Sequence, residues 1–433
     1  MGEAMAVDRG SDPERTGAAP ASTLPPAPRG LSAFRHTFRA LSYRGYRLLW
    51  LAQMVAFLGN QMNFVTRGWL AFQLTGSATA IGQVTLGWAG PMLFLSLVGG
   101  VVADRYDRRR LLMAVQAGQG VMGLAVGLLI VLGALEVWHL FLAAFWQGTM
   151  FSVLGPARQA LIPQLVDERD LGNAVALNNT AMNLTFIIGP SVAGIVLATA
   201  GAAWVYALMT LCFAGVVALL AAIRPADTRP AERRPRTGML DEMRGGLRYV
   251  FVENRLVATL IITAAVPIVL GFPYQLLLPV FQETVFRVDP KGLGLMYTTA
   301  GIGALLGSLL VANYADHEDA PQFQMLAGAG FGAALAAFAF SPNFWLANAV
   351  LVVVGLCSMA FFSFNTTAVL SSTRPAFHGR VMSIFMLTFS LLPIGVLPLS
   401  LLTDVYGARP TIGACGIVLG LFVLAMSRLS RSA

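Results

Sequence analysis

Between Tyr46 and Met426 the chain is a succession of apolar runs separated by short polar segments, and each run has about the twenty residues a helix needs to cross a bilayer. No other feature constrains the fold as much. The runs are continuous and do not alternate with period two. They therefore read as helices that satisfy their own backbone groups in lipid, not as strands of a barrel. Spans are expected at roughly 46–72, 80–103, 111–133, 138–160, 172–199 and 202–223 in the first half, and 256–281, 293–315, 322–341, 344–370, 379–403 and 409–428 in the second. Of the 433 residues 56% are hydrophobic and 12% charged, whereas a water-soluble domain carries about 25% charged residues.

The net charge of +8 does not point to nucleic acid, because the basic residues are scattered between apolar runs. Nearly all are arginines, Lys291 being the only lysine, and their placement reports topology. With the amino terminus inside, 25 of the 29 basic residues fall in cytoplasmic segments, Arg158 and Arg169 among them. Arg287, Lys291 and Arg409 fall outside, and Arg67 lies within a span. This predicts a multi-pass protein of the plasma membrane with both termini cytoplasmic.

Residues 1–30, rich in Pro, Ala and charge, read as a disordered cytoplasmic tail that lacks the apolar segment of a signal peptide. Over 31–45, Leu31, Phe34, Phe38 and Leu41 recur every three or four residues, the pattern of an amphipathic helix in the headgroup layer. Helical bundles at 46–223 and 256–428 flank a polar linker, 224–255, and 429–433 form a short second tail. Cys212, Cys357 and Cys415 lie in spans and are odd in number, which implies neither a disulfide framework nor a metal site. No cofactor or metal is expected.

The halves echo each other. Gly82 to Asp104 covers 22 residues, as does Gly294 to Asp316, and Gly172 to Gly201 parallels Gly379 to Gly407, at offsets of 206 to 212. The fold class expected is an all-α membrane protein of twelve transmembrane helices in two pseudo-symmetric six-helix bundles. The second copy keeps an acid at Asp316 but reads His317-Glu318-Asp319 where the first has arginines.

The densest charge sits between the second and third spans, in Gly100-Val101-Val102-Ala103-Asp104-Arg105-Tyr106-Asp107-Arg108-Arg109-Arg110. Gly100, Asp104, Arg105, Arg108 and Arg109 are spaced as in G-x-x-x-D-R-x-G-R-R, the signature loop of the major facilitator superfamily, with Asp107 where that pattern usually has glycine. With Leu41-Ser42-Tyr43-Arg44-Gly45-Tyr46-Arg47 and Gly379-Arg380-Val381-Met382-Ser383, the chain resembles the branch containing the enterobactin exporter and macrolide efflux proteins, over about residues 35–428. The resemblance implies that Asp104 clasps the two halves together in one state and releases them in another. Its partner would be Arg380 at the start of the eleventh span, where a helix amino terminus adds a second favourable term.

Three groups of residues are candidates for the transport path. In the first span Gln53, Asn60, Asn63 and Arg67 lie on one helical face, and polar groups there must look inward, although Arg67 could also snorkel toward the outer interface. In the fifth, Asn179 and Asn183 precede Gly189, Pro190 and Gly194, where a bend and tight packing are expected. The stretch from Thr185 to Gly194 resembles the g-x-x-x-G-P-x-x-G-G element of antiporters, departing at Thr185 and Ala193. Gln147 in the fourth span, Gln275 in the seventh, and Phe362 with Asn365 in the tenth would suit an amphipathic ligand.

The function implied is export of bulky, partly apolar molecules, resembling drugs or siderophores, by a secondary transporter. Protons are the coupling ion by resemblance, yet Ala144 stands where drug-proton antiporters often carry an arginine, and no carboxylate lies at the midplane. Partners expected are the lipid bilayer and a small-molecule substrate, with no nucleic acid, for a monomeric chain. Import of a small metabolite remains an alternative, as does a non-transporting sensor. A membrane enzyme is a further alternative, although His36, His139, His317 and His378 are isolated.

Overall fold

The computed structural model describes residues 38–227, 245–314, 317, 319–374 and 377–432. The predicted tail 1–30, residues 31–37 of the predicted interfacial helix, residues 228–244 of the linker and Asp316 lie outside them. Of the segment 31–45, Arg39–Ser42 form one 3₁₀ turn, and Arg44 already opens the first long helix.

The helices are α1 Arg44–Thr75, α2 Ala78–Arg105, α3 Arg108–Val131, α4 Val137–Leu165, α5 Leu171–Thr199 and α6 Ala202–Ala221. After the linker come α7 Arg255–Phe286, α8 Pro290–Tyr314, α9 Ala320–Ala339, α10 Phe344–Ser371, α11 His378–Tyr406 and α12 Ala408–Ser432. Eleven of these, α2 to α12, contain stretches long and apolar enough to cross a membrane. The exception is α1. It is 32 residues long, but Gln53, Asn60, Gln61, Asn63, Arg67 and Gln73 dilute its hydropathy.

Local chemistry sets the boundaries. Ser77, Asp107, Asn254 and Asn343 each accept a backbone N–H of the turn they precede, capping α2, α3, α7 and α10. Gly76 ends α1 in the left-handed region at φ 66°, which a side chain would resist. Proline inside a helix removes one donor and crowds the preceding turn. Accordingly α7 widens into π turns at Pro267–Gly271 and Phe281–Phe286, and α11 tightens into a 3₁₀ turn at Thr388–Leu391 just before Pro393.

Large apolar side chains such as Phe94, Val121, Val131, Leu211, Leu326 and Val405 stay exposed on the outside of the helices, an arrangement suited only to lipid. Trp138, Trp204 and Trp345 are exposed at the starts of α4, α6 and α10. They form part of an aromatic belt on one face of the molecule, while the arginine-rich ends of α1, α2 and α3 lie on the other.

The packing repeats with an offset of six helices. Helix α2 packs on α4 as α8 packs on α10, and α3 on α6 as α9 on α12. The first two pairs are backbone contacts: a Cβ at Gly148 of α4 would run into the carbonyl of Trp88, and one at Gly355 of α10 into that of Ala300. Small residues at these crossings let the helices gain dispersion contacts that lipid does not supply. Gly155, two turns further along α4, faces open space. Gly148→Ala should therefore cost about 1–3 kcal/mol and visibly lower the melting temperature of the purified protein, whereas Gly155→Ala, with only helix propensity to gain, should leave it unchanged or raise it.

Candidate functional site

Helix α1 turns its polar stripe toward α4. The Arg67 guanidinium donates from Nη1 to Gln147 Oε1 at 2.5 Å, and Gln147 Nε2 donates to Asn60 Oδ1 at 3.1 Å. Arg67 is 7% exposed, so it points into the helix packing and does not snorkel to the outer interface. Three of the predicted polar residues are thus joined in one network. Nearer the arginine-rich face, Arg158 of α4 lies with its guanidinium 5.2 Å from the centre of the Phe57 ring. Its Nε is buried without a hydrogen-bond partner. Arg158, counted from the sequence with the cytoplasmic basic residues although it falls in the span expected at 138–160, stands seven residues before the end of α4, which continues unbroken through Pro156 and Pro163 to Leu165.

The other candidates are placed differently. Gln53 lines a gap of about 10 Å³ with Leu49, Leu112, Gln116 and Val216, room for at most a single water. Asn63 accepts from the Tyr206 hydroxyl at 3.2 Å, a link from α1 to α6. Asn179 is exposed, and the Asn183 side chain lies outside the described residues. Gln275 contributes its backbone carbonyl, which accepts from the Tyr297 hydroxyl at 2.6 Å. Phe362 packs edge-on against Phe272 and Phe361 in an aromatic core. Asn365 is fully buried and donates to the Leu260 carbonyl at 3.1 Å, holding α10 to α7.

In the signature loop Asp107 replaces the usual glycine and acts as the cap of α3, its Oδ1 accepting from Arg110 N at 2.8 Å. Arg109 donates to the last carbonyls of α6, Leu220 O at 2.8 Å and Ala221 O at 2.6 Å, and Arg108 donates to Ala160 O of α4 at 3.3 Å. Arg109 therefore satisfies the last carbonyls of α6, and Arg108 ties the start of α3 to the body of α4. Arg105 is exposed. Gly100 and Asp104 lie within α2, but their side-chain environment falls outside the described residues. Arg380 lies over the Phe377 ring at 5.5 Å and against Gly246 of the linker.

Helices before the linker meet helices after it along α5–α8, α2–α11 and α1–α7. At Gly194 and Gly294 the backbones of α5 and α8 come so close that a Cβ on Gly194 would sit 2.7 Å from Gly294 Cα. Ser191 and Thr298 hydrogen-bond across the same seam. Pro190 leaves the Phe186 carbonyl without its helical donor, and Gly301 of α8 packs against it. Helix α5 is nonetheless continuous over Leu171–Thr199.

On the tryptophan face, Asp404 of α11 caps the start of α2. Its carboxylate accepts from Ser77 Oγ at 2.5 Å, Ala78 N at 2.6 Å, Thr79 N at 2.9 Å and Thr79 Oγ1 at 2.6 Å. Nearby, Gln73 of α1 donates to Glu283 of α7 at 2.7 Å. Sequence reasoning gave Asp404 no role. The usable signal was Ser77-Ala78-Thr79, a helix start whose free N–H groups want an anion.

Residues 35–432 match the family model described as transmembrane secretion effector. The chain belongs to this family of the major facilitator superfamily. Within it, the chain is similar to the staphyloferrin A transporter of Staphylococcus aureus, 26% identical over 367 residues that cover 84% of this chain and 91% of that one. It is likewise similar to the enterobactin exporter EntS of Escherichia coli, 24% identical over 342 residues, 78% and 80% of the two chains. Among solved structures it resembles the nucleoside transporter NupG, with TM-score 0.67, 14% identity and coverage of 88% and 98%. A bacterial homologue of the iron transporter ferroportin in an inward-facing state gives TM-score 0.68, 14% identity and coverage of 88% and 98%. These likenesses establish the fold. The family and its relatives make the protein a multi-pass membrane transporter and not an enzyme, as the signature loop implied.

The placement of Asn365 separates adhesion between helices from contact with substrate. Asn365→Ala should destabilise the protein by about 1 kcal/mol, the scale of one hydrogen bond between helices in a membrane, and leave the range of transported compounds unchanged. Thermal denaturation alongside a susceptibility panel checks this.

Proposed function

We propose that the protein exports amphipathic small molecules of siderophore or drug size across the plasma membrane by alternating access, with protons as the coupling ion. In this reading α1 to α12 are twelve transmembrane spans in two pseudo-symmetric six-helix bundles, and the arginine-rich face with both termini is cytoplasmic. The names of the staphyloferrin A and enterobactin relatives support the substrate class.

The observation that carries the mechanism is the Asp404 seat on α2. Helices α2 and α11 run antiparallel, so the end of each lies beside the start of the other. At the tryptophan face the end of α11 seats its carboxylate on the start of α2, and the bundles are also joined there by Gln73 with Glu283. At the arginine-rich face the mirror arrangement would bring Asp104, near the end of α2, to the start of α11 beside Arg380. Two latches at opposite ends of one helix pair, closed in turn, expose a central path to one side and then the other.

Export is tested with everted membrane vesicles under an imposed pH gradient, using enterobactin, staphyloferrin A and a macrolide. At least one should accumulate inside when the gradient is applied and drain when it is collapsed. Accumulation only in right-side-out vesicles would sink the export reading. For the latches, a cysteine at Ser191 reports on the α5–α8 seam. Asp404→Asn weakens charge-assisted bonds worth about 1.5–3 kcal/mol each, so labelling from outside should rise about tenfold, while Asp104→Asn should lower it. Unchanged labelling in both variants would remove the two-latch mechanism.

A further inference from the structure

Among the described residues, Arg67 and Arg158 are the two ionised side chains that lie well inside the spans. The carboxylates within α1 to α12 stand close to helix ends: Asp104 is one residue from the end of α2, Glu283 three from the end of α7, and Asp404 two from the end of α11. Arg67, almost wholly buried, has the neutral amide Gln147 as its described hydrogen-bond partner. Arg158 has an aromatic face on one side and a buried Nε with no acceptor. Among the described residues no carboxylate pairs with either. A buried cation without an anion is costly in lipid, and helix packing alone would be served as well by a neutral side chain.

The two cations also belong to one surface. Phe57, Asn60, Phe64 and Arg67 follow at spacings of three, four and three on α1, a single helical stripe. On α4, Gln147 and Arg158 are eleven residues apart, three turns and so the same side, separated by about 16 Å along the axis. The α1–α4 seam thus carries a positive group at each of two levels with aromatic rings between them. Phe64 at its far end also meets Tyr297 of α8, edge-on at 5.9 Å, which brings the other bundle to the same surface.

We infer that this seam takes the anionic groups of an amphipathic organic anion, a carboxylate or phenolate, with Arg158 and Arg67 as its two cationic seats and Phe57 against its apolar body. The inference rests on the transporter reading and narrows its substrate class. A guanidinium offers paired N–H donors that match a carboxylate, and the unused Nε of Arg158 is a donor of that kind. An amphipathic cation would meet repulsion at both levels and no compensating acid.

The test compares two xanthene dyes of similar shape binding to the purified full chain in nanodiscs, read by fluorescence anisotropy: fluorescein as its dianion at mildly alkaline pH, and a rhodamine ester as a cation. Fluorescein should bind at least about tenfold more tightly than the rhodamine ester, and Arg158→Gln and Arg67→Gln should each reduce fluorescein binding about tenfold, equivalent to about 1.4 kcal/mol. Arg158→Lys, which keeps the charge and loses the fork, should fall between. Phe57→Leu should weaken both dyes while preserving the preference for the anion, a pattern that a merely structural role for Arg158 does not produce.

Equal binding of the two dyes, binding of neither, or full fluorescein binding by Arg158→Gln protein that remains monodisperse would each overturn the inference. Vesicle export separates its failure from that of the transporter reading. If the rhodamine ester is pumped and fluorescein is not, the protein is still an exporter and the anion assignment falls. If no dye, siderophore or macrolide moves, the transporter reading falls first.

Discussion

Lipid tails are as apolar as leucine, so nothing like the hydrophobic effect draws two of these helices together. The architecture depends instead on places where backbone can touch backbone. Gly148 against Trp88 fixes α2 on α4, Gly355 against Ala300 fixes α8 on α10, and Gly194 with Gly294 fixes α5 on α8. The first two contacts recur at an offset of about half the chain. The third joins a helix before the linker to one after it. Ser191 with Thr298, and Gly301 against the Phe186 carbonyl, extend that close fit along the two helices.

Against this apolar frame the polar groups divide by purpose. Arg109 and Asp107 finish helix ends at the arginine-rich face, and Asp404 does so at the tryptophan face. Asn365 ties α10 to α7, and Asn63 ties α1 to α6. Arg67, Gln147 and Asn60 form a network whose charge has no counterion among the described residues. The first two groups hold helices to one another through hydrogen bonds to helix ends, carbonyls and side chains; the third is the group on which the anion proposal rests.

How much of this was legible in the sequence follows from the same division. Helix positions were readable because length and apolarity decide most of them, α1 being the exception, and the predicted 172–199 and 202–223 nearly coincide with Leu171–Thr199 and Ala202–Ala221. Which polar residues bond to a neighbouring helix was not legible, because a polar stripe has the same period whether it faces a ligand or another helix. Gln53 and Asn365 look on paper like Asn60 and Gln147. Arg158 was hidden because it stands between Pro156 and Pro163, residues that more often end a helix than ride within one, and the Asp404 seat by its lying more than three hundred residues from Ser77. Packing geometry, not composition, carries those facts.

The polarity of α1 has a consequence for how the protein is made. Among the described long helices it is the one too hydrophilic for hydropathy to commit it to the bilayer, and Arg67, eight residues before its end, opposes insertion further. Its acceptor for that arginine, Gln147, is synthesised eighty residues later, on α4. In the twelve-span reading, α1 therefore gains its polar partner only when α4 is present, which couples the membrane entry of these two helices.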